Sequence, residues 1–180
     1  MSQEIIDRVS GLTADFDRRV QATPASAWGN QSPCSEWKAV DVVAHVANNF
    51  LGLSAALTGS ERGSFDAANP VPSWNAARDG FLAALSSGDM SVNVPGPMGP
   101  MPASMVIGRF VATDVLVHTW DLARAVGGDE VLDQTAVTQA YSGLKPMDAM
   151  IRQPGVFGSK VEHTDGDLQT EFLNFLGRRT

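Results

Sequence analysis

Three side chains that could ligate a metal ion are spaced for facing helices in this sequence: His45, Asp114 and His118. Asp114 and His118 are four residues apart in the segment FVATDVLVHTWDLARAV. On a helix, that spacing places the carboxylate and the imidazole on adjacent turns, roughly 6 Å apart along the axis. Helical bundles chelate metals with inward-facing residues of this kind. The pair therefore predicts one side of a metal site.

His45 has similar surroundings on another predicted helix. Its neighbours on the same helix face include Val42 and Asn49. Two helices that face each other would bring His45 to Asp114 and His118. Two histidines and one carboxylate form an open ligand set for zinc or ferrous iron, which leaves coordination positions for water or substrate.

Structural interpretations of the same residues stay open at this stage. A histidine on an apolar face is more often a hydrogen-bonded core residue than a ligand, and an Asp–His pair is often only a helix side-chain pair. Asp121 either orients an imidazole or bonds Trp120 or a backbone group. His163 lies in a polar segment, where we expect it to be solvated. Cys34 is interpreted as a small packed residue, because no base lies beside it in the sequence.

Composition and charge narrow the function classes. The 180 residues, of which 43% are hydrophobic, suffice for one sizeable core, and we expect a single domain over residues 1–180. The net charge of −7 argues against nucleic acid. The single cysteine excludes a zinc site built from cysteines. We see no membrane span of roughly 20 apolar residues and no signal peptide, so we expect a cytoplasmic protein.

Hydrophobic periodicity predicts an all-α protein. The three clearest helices are predicted over Gln3–Ala22, Ala39–Leu57 and Ala103–Val126, and Gly127 ends the last of these. The remaining predictions are a helix capped by Ser73, a short strand at Ser91–Val94, a helix from Leu132 to about Met147 and a last helix around Leu168–Leu176. Helices with one short strand favour a bundle with long inter-helix loops.

The chain resembles the DinB-like, mycothiol-dependent maleylpyruvate isomerase N-terminal domains. SPCSEWKAVDVVAHV is similar to the Cys-x-x-Trp…His segment of that family. DVLVHTWDLARAVG is similar to its Glu-x-x-x-His-x-Trp-Asp-Leu-Ala signature. FLGRRT is similar to the ending of a single-domain subgroup that is described as metal-binding. The resemblance extends over most of the chain.

The resemblance implies a DinB-like four-helix bundle with extra short helices and long loops. It also implies a divalent metal held by His, Glu and His, and these roles fall on His45, Asp114 and His118. Asp114 departs from the family's glutamate and is one methylene shorter, so it would bind at a different angle, through water or not at all. The family's isomerase has a further C-terminal domain with substrate contacts, so isomerisation of maleylpyruvate is not carried over.

The activity that the resemblance implies is that of a thiol-dependent transferase or isomerase. A metal-bound thiol of the mycothiol type would attack a small electrophile as a thiolate. The expected metal is Zn2+, with Ni2+ or Fe2+ as alternatives. Asp121 would be a catalytic base or would support a ligand. The loop Pro95–Pro102, with Met98 and Met101, would wall the site.

Two other functions stay open. One is a non-catalytic helical module that binds a metal or a small molecule, which the shorter carboxylate and the missing second domain favour. The other is a purely structural bundle in which His45 and Asp114 form a buried ion pair. The sequence does not decide between a monomer and a homodimer.

Overall fold

The computed structural model describes residues 2–97, 99–152, 157–162 and 166–180. The chain falls into two compact units, Met1–Glu130 and Val131–Thr180. The expectation of a single domain over residues 1–180 stays a prediction. Met98 and His163 lie outside the described residues, so the predicted roles of these two side chains are not addressed by the structure.

The larger unit is built mainly of α-helices. Its elements are α1 (Ser2–Ala22), α2 (Ala39–Thr58), α3 (Pro70–Ser87), β1 (Asn93–Val94), β2 (Met101–Pro102), α4 (Ala103–Met105) and α5 (Ala112–Val126), with a 3-10 turn at Ala25–Ala27 and a π-helical stretch at Val106–Val111. The three clearest sequence-predicted helices are confirmed to within one residue at each end. The third of them is the continuous run from α4 through the π-helical stretch to α5.

Four long helices of this unit form a closed bundle. α1 packs against α3 and α5, and α2 packs against the same two helices. The core between them is aromatic: the Phe50 and Phe81 rings stack at 4.0 Å, and the Phe16 and Trp74 rings meet edge to face at 4.9 Å. All four side chains are fully buried. The predicted all-α four-helix bundle with additional short helices and long loops is therefore confirmed.

The start of α3 differs from the prediction. The helix begins at Pro70, and Ser73 lies inside its first turn, where its amide donates to the carbonyl of Asn69. Proline is well suited to the first helical position, because it has no amide hydrogen to leave unpaired and its φ is already helical. The Ser73 hydroxyl instead accepts a hydrogen bond from the Asp66 amide of the preceding loop. The predicted Ser73 cap is therefore wrong.

The π-helical stretch that leads into α5 lies against α1. The Gly108 carbonyl accepts a hydrogen bond from Arg8 of α1, and a Cβ at Gly108 would come within 3.2 Å of Ile5. A π-helical turn holds more residues than an α-helical turn, so it rotates the residues that follow it relative to those that precede it. The face that α5 presents to α2 therefore depends on this stretch.

The predicted strand is confirmed in a shorter form. β1 pairs antiparallel with β2, with Val94 opposite Met101. Gly96 and Gly99 close the connection with two mutual backbone hydrogen bonds, and Gly99 has a φ of +96°, which glycine adopts without strain. Whether this loop walls the candidate site stays a prediction.

The smaller unit contains α6 (Gln134–Leu144), a 3-10 turn (Lys145–Met147), α7 (Asp148–Ile151) and α8 (Leu168–Phe175). Asp133 and Asp167 cap α6 and α8, because their carboxylates accept from the Ala136 and Thr170 amides at 2.7 and 2.9 Å. α6 packs against α8. The two helices predicted in this region are confirmed.

One described helix, α2, has the length and hydropathy of a membrane-crossing segment, which the sequence analysis did not anticipate. The core helix of a bundle has the same signature. Val42, Val46 and Phe50 are fully buried inside this protein, on the face that α2 turns to its partners. The membrane criterion is therefore weak evidence for this helix.

Removal of the Phe81 ring should test the aromatic core. Phe81→Ala leaves a cavity beside Phe50, and we expect it to lower the free energy of unfolding of the metal-free protein by about 3–5 kcal/mol in urea titrations. Met105 is 49% exposed, so Met105→Ala is the matched control and should change stability by less than about 0.5 kcal/mol. Equal losses in the two variants would contradict this packing.

Candidate metal centre

α2 and α5 bring the three sequence-predicted ligands together. His45 lies on α2, and Asp114 and His118 lie four residues apart on α5. Asp114 Oδ1 is 3.3 Å from His45 Nε2 and 3.3 Å from His118 Nε2. The ligand atoms of all three residues lie within 4.8 Å of one another. One carboxylate oxygen therefore stands between two imidazole nitrogens.

The separations within this trio suit ligands of one cation. At zinc–ligand distances of about 2.0–2.1 Å, two ligands at a tetrahedral angle lie about 3.3 Å apart. Both contacts of Asp114 have this length, which is slightly longer than a normal N–H···O hydrogen bond. Two neutral imidazoles and one carboxylate also have the donor chemistry that zinc and ferrous iron accept. The residues present therefore fit a divalent metal.

Asn49 extends the polar cluster along α2. It lies four residues after His45, and its Nδ2 is 3.2 Å from His45 Nε2 and 3.2 Å from Asp114 Oδ2. The amide thus occupies the second oxygen of Asp114 while the first oxygen faces both histidines. This contact sets the rotation of the Asp114 carboxylate.

The side chain of Trp37 covers the two imidazoles. Its ring centroid is 4.8 Å from that of His45 and 5.5 Å from that of His118. The segment that carries it is held by hydrogen bonds from Ser32 N to Trp37 O and from Trp37 N to Cys34 O. Gln31 Nε2 adds contacts to four carbonyls of the same segment. This folded segment supplies an apolar wall to the site.

Asp121 lies behind His118 and is fully buried. Its Oδ2 is 2.9 Å from His118 Nδ1, on the ring edge opposite the contact with Asp114. The same oxygen is 3.5 Å from Cys34 Sγ, which donates to it. A carboxylate that accepts from the second nitrogen of a ligating histidine holds that ring in one orientation and tautomer.

Solvent reaches the trio from one side. The side chains of His45 and Asp114 are 32% and 26% exposed, whereas that of His118 is 7% exposed. A cation held by these three residues would keep open coordination positions on the solvent-exposed side of the site, where the side chains of His45 and Asp114 lie. An open position is the feature that separates catalytic from structural metal sites.

The charges in the cluster shift two pKa values in opposite directions. Burial alone would raise the pKa of Asp114, but the charges and hydrogen bonds of His118 and His45 hold it well below its usual range. Burial alone would lower the pKa of His118, but Asp114 and Asp121 raise it to about 9. In the metal-free protein at neutral pH, His118 is therefore a cation between two carboxylates.

Sequence reasoning identified the trio but assigned no role at the site to three residues around it. Trp37 had a signal, because its position three residues after Cys34 places it in the family-like pattern. Asn49 had a signal, because it lies one helical turn after His45. Cys34 has no base beside it in the sequence, and the fold brings the Asp121 carboxylate to within 3.5 Å of its sulfur.

Comparison with known families and proteins gives consistent matches. The family described as mycothiol maleylpyruvate isomerase N-terminal domain matches residues 9–80, a range that includes His45. Two curated proteins of Mycobacterium tuberculosis are each 32% identical over 144 residues, which is 73% of this chain and 72% of theirs. These are uncharacterized protein MT0763 of strain CDC 1551 / Oshkosh and uncharacterized protein Rv0738 of strain ATCC 25618 / H37Rv.

Two solved structures share the fold. A histidine-to-alanine mutant of the mycothiol-dependent maleylpyruvate isomerase aligns with a TM-score of 0.63 and 17% identity, over 85% of this chain and 70% of that one. The isomerase without that mutation aligns with a TM-score of 0.57 and 17% identity, over 79% and 68%. At this identity the likeness concerns the fold, and it confirms the predicted DinB-like bundle.

The elevated pKa of His118 predicts how stability depends on pH. The folded-state pKa of about 9 lies above the ordinary value of 6.5. The contribution of protonated His118 to the free energy of unfolding is therefore complete below pH 6.5 and is lost as the pH rises toward 9. The unfolding free energy of the metal-free protein should therefore fall across this window. His118→Gln should remove that component of the slope, as measured by denaturant titration at several pH values. Identical slopes in both proteins would contradict the assignment.

Proposed function

Since the chain belongs to the mycothiol maleylpyruvate isomerase N-terminal domain family, we propose that it binds a divalent metal and acts with a low-molecular-weight thiol. The observation that carries the proposal is the spacing of His45, Asp114 and His118, in which both contacts of the carboxylate are 3.3 Å long. Zn2+ is the proposed metal, and Ni2+ and Fe2+ suit the same donors. The proposed thiol is of the mycothiol type.

The three ligands have separate tasks in this proposal. His45 Nε2 and His118 Nε2 donate neutral nitrogen lone pairs, and Asp114 Oδ1 adds one negative charge. Asn49 keeps the second oxygen of Asp114 turned away from the imidazoles. A divalent cation held by these residues would supply Lewis acidity, which would lower the pKa of a thiol bound beside it.

Asp121 is assigned a positioning role in this proposal. Its side chain is fully buried and accepts a hydrogen bond from His118 Nδ1 at 2.9 Å. Solvent and substrate reach the trio from the side of His45 and Asp114, which is the opposite edge of the His118 ring. A group in this position orients the ligand, and a role for Asp121 as a base that touches substrate has less support.

The cosubstrate and the electrophile would enter on the exposed side of the trio. The Trp37 ring provides an apolar surface against His45 and His118, which would exclude water from one side of a bound thiol. A metal-bound thiol beside this apolar surface is consistent with two reactions, which are S-transfer to a small electrophile and thiol-assisted isomerisation.

A non-catalytic metal-binding or small-molecule-binding module is the second candidate. Asn49 supports it, because its amide lies 3.2 Å from both His45 Nε2 and Asp114 Oδ2 and narrows the space beside the ligands. A purely structural ion-pair cluster is the third candidate. Elemental analysis of the purified protein separates the third candidate from the other two.

Metal binding by the trio predicts one tight divalent site. Zn2+ titration of the metal-free protein, followed by calorimetry, should give one cation per chain at micromolar affinity or better. His45→Gln should weaken binding by about 100-fold or more, since removal of even a supporting partner costs about 10–100-fold. His163→Gln is a matched control, because that histidine lies outside the two family-like segments that carry His45 and His118. Unchanged affinity in His45→Gln would overturn the site.

Thiol chemistry predicts a metal-dependent rate. With mycothiol and epoxide or maleyl electrophiles, the zinc-loaded protein should form thioether or isomerised product, and chelation of the metal should abolish this. Asp121→Asn should retain the fold and lose about 10–100-fold in metal affinity or rate. Full metal binding with no turnover on any electrophile would favour the non-catalytic module.

A further inference from the structure

A second cluster of potential ligands lies on the other edge of the His118 ring. The ligand atoms of Cys34, His118 and Asp121 lie within 4.8 Å of one another. Asp121 Oδ2 is 2.9 Å from the imidazole nitrogen and 3.5 Å from the sulfur. His118 and Asp121 are buried, and Cys34 is partly exposed. A thiol, an imidazole and a carboxylate therefore converge outside the trio described above.

The folded segment before α2 builds this arrangement. The Cys34 amide donates to Ser32 Oγ, and the Cys34 carbonyl accepts from the amide of Trp37 and from the side chain of Gln31. Asn30 Nδ2 donates to the carbonyl of Ala125, which ties the start of the segment to the last turn of α5. These bonds hold the sulfur against the middle of α5, 87 residues away in sequence.

The separations are close to those of a cation site that contains one sulfur. With a metal–sulfur distance of about 2.3 Å and a metal–oxygen distance of about 2.0 Å, the two ligands lie about 3.5 Å apart at a tetrahedral angle. The sulfur–oxygen separation has this value. The contact of Asp121 with His118 Nδ1 has to widen by only a few tenths of an ångström. A ligand set that contains a thiolate favours softer cations than a ligand set of imidazoles and carboxylates alone.

We propose that Cys34, His118 and Asp121 form a second cation site, which takes a soft, thiophilic ion and excludes a cation from the His45 trio. The exclusion follows from the chemistry of one ring. A neutral imidazole has one lone pair for a metal and one N–H. When His118 Nε2 faces a cation with His45 and Asp114, the Nδ1–H donates to Asp121. When Nδ1 binds a cation beside Cys34, the Nε2–H donates to Asp114.

The charge balance supports this second arrangement. Binding displaces the thiol proton of Cys34 to solvent and leaves a thiolate beside the carboxylate of Asp121, so two negative charges face the divalent cation. The site does not depend on metal binding by the trio, because it shares only His118 with it. Its failure and the failure of the proposed function are therefore distinguishable.

Cadmium titration of the reduced, metal-free protein tests the proposal. Cys34 is the only thiol in the chain, so any sulfur-to-cadmium charge-transfer absorbance reports on it alone. We expect one Cd2+ per chain, with this absorbance and a 113Cd resonance at the position of a single-thiolate site. Cys34→Ser should abolish the absorbance. Asp121→Asn and His118→Gln should each weaken the sulfur-containing site by about tenfold or more.

Two further results decide the proposal. His45→Gln, which impairs only the trio, should keep the sulfur-to-cadmium absorbance at wild-type or tighter affinity, because any competition from the trio for His118 is removed. Absorbance that survives unchanged in both Asp121→Asn and His118→Gln would mean that Cys34 binds cadmium alone, and this would overturn the site. Two cations bound to one wild-type chain, seen as two 113Cd resonances with one equivalent each, would overturn the exclusion. Circular dichroism checks that each variant is folded.

Discussion

The Asp114 carboxylate between two imidazoles is the contact on which the site depends. A carboxylate that is three-quarters buried requires compensation. His118 provides it from the same helix, and His45 provides it from α2, 69 residues before Asp114 in sequence. The contact of His45 with Asp114 joins α2 to α5, and the Trp37 ring covers both histidines there. A proton on His118 or a divalent cation can supply the required positive charge. The same geometry is therefore compatible with a structural ion pair and with a bound cation.

Asp114 stands where the signature that this chain resembles has a glutamate. The shorter side chain still contacts both histidines. Asp114 Oδ1 reaches each Nε2 at 3.3 Å, although its side chain is one methylene shorter. The approach of α2 to α5 and the amide of Asn49 on Asp114 Oδ2 both contribute to this reach. The π-helical stretch before α5 adds a further adjustment, because it sets the rotation of the Asp114 and His118 side chains toward α2. Asp114 thus reaches both imidazoles despite its shorter side chain.

The sequence predicted the parts of this structure that follow from local pattern. Helical periodicity located α1, α2 and the run that ends in α5, and spacing placed Asp114 beside His118. Contacts of the segment before α2 had no such signal. The approach of Cys34 to Asp121 depends on the fold of the segment before α2 and on its bond to the end of α5. The predicted Ser73 cap is wrong because the helix begins three residues earlier at Pro70, which loses no hydrogen bond at the first helical position. The π-helical stretch escaped detection because its residues have ordinary helical composition.

His118 joins the two halves of the site because each nitrogen of its ring faces a different carboxylate. Asp114 lies on the solvent-accessible side, and Asp121 lies on the fully buried side next to Cys34. In the metal-free protein both nitrogens donate, which is why the pKa of the ring rises to about 9. A cation on either side has to replace one of those two protons, while the carboxylate on the other side keeps the remaining one. The Asp121 carboxylate thereby holds the proton on Nδ1 and leaves Nε2 facing Asp114, and Cys34 is a second donor to that carboxylate.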